Sequence, residues 1–318
     1  MNAKAKGYVL GAVAAATYGM NPLFALPLYG AGMDPDSVLF FRYLFAIPLL
    51  GVMLRVRGRG FGVPRGTWPV LIAMGLLVAF SSLGLFLSYN YMDAGIASTL
   101  LFVYPVMVAL IMAVVCRERP TVRTLLCIGA VSAGIGLLYD GGDGTTLSLV
   151  GVLLVFASSL SYAVYIVAVN RTALRDMATL KVTFYVLLFG LVLFVVRLWT
   201  GDGVRMPDRW YLWGNLLALA VFPTAVSFLC TTGAIRYIGS TPTAILGALE
   251  PVTAVFFGIV VFGETLTLRE GIGLATIVAA VTGVIAGDRM TVWLIRLRKL
   301  FPRLSAGKRK AGDECDPK

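Results

Sequence analysis

Apolar residues run through this chain in blocks of about 17 to 26 positions, separated by short stretches that carry the glycines, prolines and charges. Unbroken blocks of that length predict helices that cross a bilayer, because about 20 residues at 1.5 Å each cover roughly 30 Å of hydrocarbon. Ten blocks are predicted, at residues 7–28, 37–54, 67–89, 95–115, 122–139, 147–169, 180–199, 210–235, 241–262 and 268–287. Beyond Asp288 the pattern changes. Trp293, Leu297, Leu300, Phe301 and Leu304 fall on one helical face, with Arg289, Arg296, Arg298, Lys299 and Arg303 around them. That combination predicts a short helix lying on anionic lipid, followed by a patternless end, Ser305 to Lys318.

The blocks repeat. Placing Pro105 on Pro251 also pairs Tyr91 with Tyr237, Val106 with Val252, Glu118 with Glu264, Thr121 with Thr267 and Arg123 with Arg269. Chance likeness between aliphatic helices explains the valine, not the rare polar residues that coincide. The chain is therefore expected to be an all-α membrane protein of ten transmembrane helices, arranged as two five-helix repeats. An odd count makes the second repeat enter from the opposite face, which gives inverted repeats. The expected organisation is an N-terminus over 1–6, a first repeat over 7–139, a connecting loop over 140–146, a second repeat over 147–287 and a basic tail over 288–318.

Composition agrees with this and narrows the function classes. The chain is 58% hydrophobic and 14% charged, which excludes an ordinary soluble domain. Its net charge of +11 would suggest nucleic acid in a soluble protein. Here 22 of the lysines and arginines fall in the termini and alternate loops on one side, against three on the other. The positive-inside rule accounts for that asymmetry without nucleic acid and puts both termini in the cytoplasm. Histidine is absent and the four cysteines are scattered, so no metal site, disulfide or cofactor is expected.

Glu250 is the leading candidate for chemistry. It lies directly before Pro251, about nine residues from each end of its block, and a charge at mid-bilayer costs about 3 kcal/mol even on insertion scales. Such a carboxylate binds a proton or a cationic substrate, or else ties two helices together. Tyr104 is its repeat mate. Asn21, beside Pro22, and Tyr18 on the first block and Tyr165 on the sixth are expected to line the same cavity, with Ser227 at the repeat offset from Ser81. Pro22, Pro105, Pro223 and Pro251 are expected to kink their helices and free backbone carbonyls near Ile245 to Gly247. Arg42 either reaches inward or snorkels to the outer surface. Arg197 is expected to anchor the interface. Glu118 and Glu264 are expected to pair with nearby arginines, and Gly141–Gly144 to form a turn.

The paired segments VYPVMVALIMAVVCRER and LEPVTAVFFGIVVFGET, with YGMNP in the first block and FFR in the second, resemble the drug/metabolite transporter superfamily. Within it the chain is similar to the bacterial EamA group. The resemblance implies a carrier of small organic metabolites such as amino acids, often an exporter, coupled to protons or substrate and set in the bacterial inner membrane. Its partners would be a small-molecule substrate, protons, the lipid bilayer and anionic lipids under the tail. A carrier of nucleotide-sugar-like anions is the alternative within transporters, and Arg42 is the only basic residue placed for it. A membrane enzyme lacks a second intramembrane carboxylate or a histidine to work with. A non-transporting protein would have no use for midplane polarity.

Overall fold

The computed structural model describes residues 3–58, 60–115, 126, 129–130, 133–134, 137, 148–172, 174, 177–201, 203–238, 243, 246–247, 249–263, 265–269 and 271–280. Glu118, Glu264, the 140–146 loop, Ala244, Ile245 and the 288–318 tail lie outside the described residues, as does most of the fifth block. Among those described there is helix and no strand. Six helical stretches are long and apolar enough to cross a membrane, and shorter apolar helices accompany them.

The first block is two helices, α1 (Ala3–Gly19) and α2 (Asn21–Gly30), because Pro22 in the first turn of α2 has no N–H to continue the ladder. The helix α3 (Pro35–Val56) starts at Asp34, whose carboxylate accepts from Ser37 N–H at 3.1 Å. The third block is α4 (Trp68–Ser88), and the fourth is again two helices, α5 (Ala94–Leu101) and α6 (Tyr104–Val115). Next come α7 (Leu149–Arg171) and α8 (Thr179–Thr200). The eighth block runs α9 (Trp210–Leu219), a wide π turn (Ala220–Val226) and α10 (Ser227–Ile238). Last are α11 (Leu249–Phe262) and α12 (Gly271–Ala280).

Helices from the two ends of the chain interleave instead of forming separate bundles. α1 packs along α10, and α4 packs along both α7 and α8. α8 also meets α3, α5 meets α11, α7 meets α5 and α6, and α11 meets α1 and α2. In hydrocarbon the drive for these contacts is close packing, so small residues sit where backbones cross. A Cβ on Gly75 would lie 2.8 Å from the Val186 carbonyl, and one on Gly190 3.1 Å from the Gly75 carbonyl. Those two glycines are what lets α4 and α8 touch.

Polar groups tie the two ends. At one, Arg197 grips Asp36 through two bonds of 2.6 and 3.0 Å, and Arg205 N–H donates to Ser37 at 2.9 Å. At the other, Lys181 donates to the Gly62 carbonyl at 2.8 Å and the Tyr185 hydroxyl to the Phe61 carbonyl at 2.5 Å. Arg197, expected as an interface anchor, is thus held by an ion pair across α3 and α8.

Replacing Gly75 with valine should lower the melting temperature of the detergent-purified protein, by the equivalent of about 1–3 kcal/mol for an overpacked crossing. Gly214→Ala, where an added Cβ meets nothing within 4 Å, should be neutral or mildly stabilising in the same measurement.

Candidate functional site

Four helix interruptions bring the polar residues together, and each has a proline. Pro22 and Pro105 occupy the second position of α2 and α6, and Pro251 the third of α11. In a first turn the missing N–H costs nothing, so these prolines start helices more than they bend them. Asn21, Tyr104 and Glu250 therefore stand in the first turns of three helices, where unpaired N–H groups and the dipole present a positive end. A carboxylate fits such a position better than mid-helix.

Pro223 acts differently. Its absent N–H frees the Leu219 carbonyl within the π turn, and the Thr224 hydroxyl donates to that carbonyl at 3.0 Å. The Thr224 hydroxyl oxygen in turn accepts from Arg42 Nε at 2.6 Å. Arg42 is only 2% exposed and its guanidinium lies 5.2 Å from the centre of the Phe86 ring. Its side chain is enclosed by the π turn and Phe86 and is not carried to the surface. Phe24 stacks on Phe222 with ring centres 6.1 Å apart, which lays the first turn of α2 on the same π turn. Asn21 there is 1% exposed, and neither atom of its amide has a partner.

Around Glu250 the surroundings are aromatic. Tyr18, Tyr104 and Tyr162 all lie within electrostatic reach of its carboxylate. Tyr104 meets Tyr162 edge-on with ring centres 4.9 Å apart, and Tyr162 stacks on Tyr165 at 5.9 Å. Gly19 packs directly over this helix start: a Cβ on it would come within 2.7 Å of the Thr253 Cβ and collide with the Glu250 carbonyl. Glu250, Tyr18, Tyr162 and Tyr165 keep part of their surface open, whereas Tyr104 is buried. Tyr18 lies within electrostatic reach of Arg42 as well as of Glu250.

Ser227 does not join this group. Its hydroxyl donates to the Ala14 carbonyl at 3.0 Å where α10 crosses α1. Ser158 donates to the Ser81 carbonyl at 2.6 Å where α7 crosses α4. These serines hold crossings. Beside Ser227, at one end of the molecule, opens a cavity of about 430 Å³ whose walls include Lys6, Arg57, Thr179, Val226, Cys230 and Tyr237. Among the described residues no three potential metal ligands come together.

Tyr162 and Thr224, polar groups at depth in the sixth and eighth blocks, meet Tyr104 and Arg42 in the structure. An ungapped slide of 146 positions sets Tyr18 on Val164. Shortening it by two for the opening helices matches Tyr18 to Tyr162 and Asn21 to Tyr165.

A model of the EamA-like transporter family matches this chain twice, over residues 5–140 and 149–286. An uncharacterized transporter of Archaeoglobus fulgidus is 31% identical over 256 residues, 79% of this chain and 86% of that protein. The uncharacterized transporter YcbK of Bacillus subtilis is 25% identical over 267 residues, 80% and 85% of the two chains. The threonine/homoserine exporter RhtA of Salmonella typhimurium is 29% identical over 217 residues, 67% and 70%. One solved crystal structure shares the fold at TM-score 0.66 and 18% identity, covering 92% of this chain and 99% of its own.

Thr224→Val should lower the melting temperature by the equivalent of about 1–3 kcal/mol, because it strips a buried guanidinium and a buried carbonyl of one partner each. Thr224→Ser, which keeps the hydroxyl, should recover most of that loss.

Proposed function

The chain belongs to the EamA-like transporter family, a multi-pass membrane family, and on that premise we propose that it is a secondary transporter that exports small organic metabolites by alternating access. In this reading ten helices form two inverted five-helix repeats, 7–139 and 147–287, joined by the 140–146 loop. Substrate binds between the repeats near mid-membrane. The protein sits in the bacterial inner membrane with both termini in the cytoplasm and its basic tail on anionic lipid.

The observation that carries this reading is the pairing of contacts across the repeat. Gly7 of α1 packs on Tyr237 and Ile238, and Gly151 of α7 packs on Tyr91 and Met92, their equivalents 146 positions earlier. The serine crossings repeat the pattern, Ser227 on Ala14 and Ser158 with Ser81. The polar cluster draws on matching positions too: Tyr18 with Tyr162, Asn21 with Tyr165, and Glu250 with Tyr104. Matching contacts of this kind support two related halves, and carriers of this design hold substrate between their repeats. The family model's two matches, one per half, support the same division.

Glu250 is assigned the coupling role. A carboxylate in a site of low polarity is neutralised by one cation at a time, so a proton and the ammonium group of a substrate exclude each other on it. Exclusion of that kind couples proton entry to substrate exit. The exporter named among the relatives makes amino acids the first substrates to try. An anion carrier is the second reading, favoured by the buried Arg42 and opposed by the acid within reach of the same tyrosine.

Reconstituted in proteoliposomes with an imposed pH gradient, the wild type should move an amino acid and Glu250→Gln should lose gradient-driven flux. Unchanged gradient-driven flux in the variant would remove the coupling role. Absence of flux for every metabolite tried would favour a non-transporting protein.

A further inference from the structure

Arg42 and Asn21 are an unusual pair to find in an apolar interior. Each is at least 98% buried, and Arg42 Nη1 and both amide atoms of Asn21 have no hydrogen-bond partner. Among the described residues no carboxylate pairs with Arg42, whose remaining contacts are the Thr224 hydroxyl and the Phe86 ring. A buried cation without an anion is strongly unfavourable, and a buried amide without partners costs on the order of 1–3 kcal/mol, so both ask for a ligand. They are not scattered. Arg42 is bonded to the π turn at Thr224, and the helix that begins at Asn21 stacks on that turn through Phe24 and Phe222. Arg42 is also aimed: Thr224 and Phe86 fix Nε and one face, leaving a fork edge free to meet a planar anion.

We propose that Arg42 and Asn21 form the subsite for a carboxylate group of the transported molecule, opposite Glu250, so that the substrate is a zwitterion with its acid at α3 and its ammonium at α11. This inference rests on the carrier reading and adds to it a chemical class and two named residues. The guanidinium supplies a charge-assisted bond through Nη1, the Asn21 amide donates through Nδ2, and Tyr18 spans the gap to the ammonium end. A molecule lacking the carboxylate leaves the buried Arg42 guanidinium unpaired and is rejected for that reason.

The test uses the full chain purified in detergent. Thermal stabilisation is measured with proteinogenic L-amino acids, and each that binds is paired with its amide and with its decarboxylated amine. The acid should bind about 10- to 100-fold more tightly than its amide, the ratio expected for losing one charge-assisted hydrogen bond. Arg42→Gln should abolish that ratio and Arg42→Lys should keep part of it. If Arg42→Gln fails to fold, the acid-to-amide ratio of the wild type and of Asn21→Ser still decides. Equal binding of acid and amide, or no stabilisation by any acid, overturns the subsite. Flux of carboxylate-free molecules at the same rate in wild type and Arg42→Gln also overturns it while leaving the carrier intact. Acid-selective binding without flux would support the subsite and sink the carrier.

Discussion

A polar group placed in hydrocarbon has no water to fall back on, so it must find its partner within the protein or be held for something that arrives. That constraint organises this molecule. Most of its apolar length satisfies the rule as uninterrupted helix. Where prolines interrupt the ladder, the exposed groups are dealt with one by one: the Leu219 carbonyl takes the Thr224 hydroxyl, and the first turn of α11 receives a carboxylate. Asn21 and Arg42, in the same region, keep buried side-chain atoms without a hydrogen-bond partner.

The glycines and serines do the complementary work. Close crossings at Gly75 and Gly190, and at Gly7 and Gly151, let helices from opposite ends of the chain approach to backbone contact. Hydroxyls at Ser81, Ser158 and Ser227 then bond across the crossings without adding charge. Discontinuous helices need such rigid neighbours. A half-helix starting at Tyr104 or Leu249 is short, and its position is set by what it packs on, not by its own length.

Much of this was legible in the residues. Block length revealed the membrane class, and the coincidence of proline, glutamate, threonine and arginine at a fixed separation pointed to two related halves. Glu250 stood out because a charge in an apolar block is conspicuous. Less could be read about geometry. The prolines looked like kinks because sequence does not say whether a helix bends or restarts, and α5 and α6 have no polar break between them. Arg42 sits near a predicted boundary, where depth alone allows either direction; its contacts, Thr224 and Phe86, are distant in sequence and could not be read from it. Tyr162 could be named as a polar group at depth, but its edge-on contact with Tyr104 could not be read from the sequence. The basic tail, Glu118 and Glu264 fall outside the described residues.

The central claim is that Glu250 faces an aqueous path between the halves and not lipid. It is tested most directly by introducing a single cysteine there in a cysteine-free background and exposing oriented membrane vesicles to a charged, membrane-impermeant thiol reagent. Labelling of Glu250→Cys from one face, slowed by a bound amino acid and absent at lipid-facing Val260→Cys, is the expected result. A site that reacts only with membrane-permeant apolar reagents, at the same rate with or without amino acid, would contradict it.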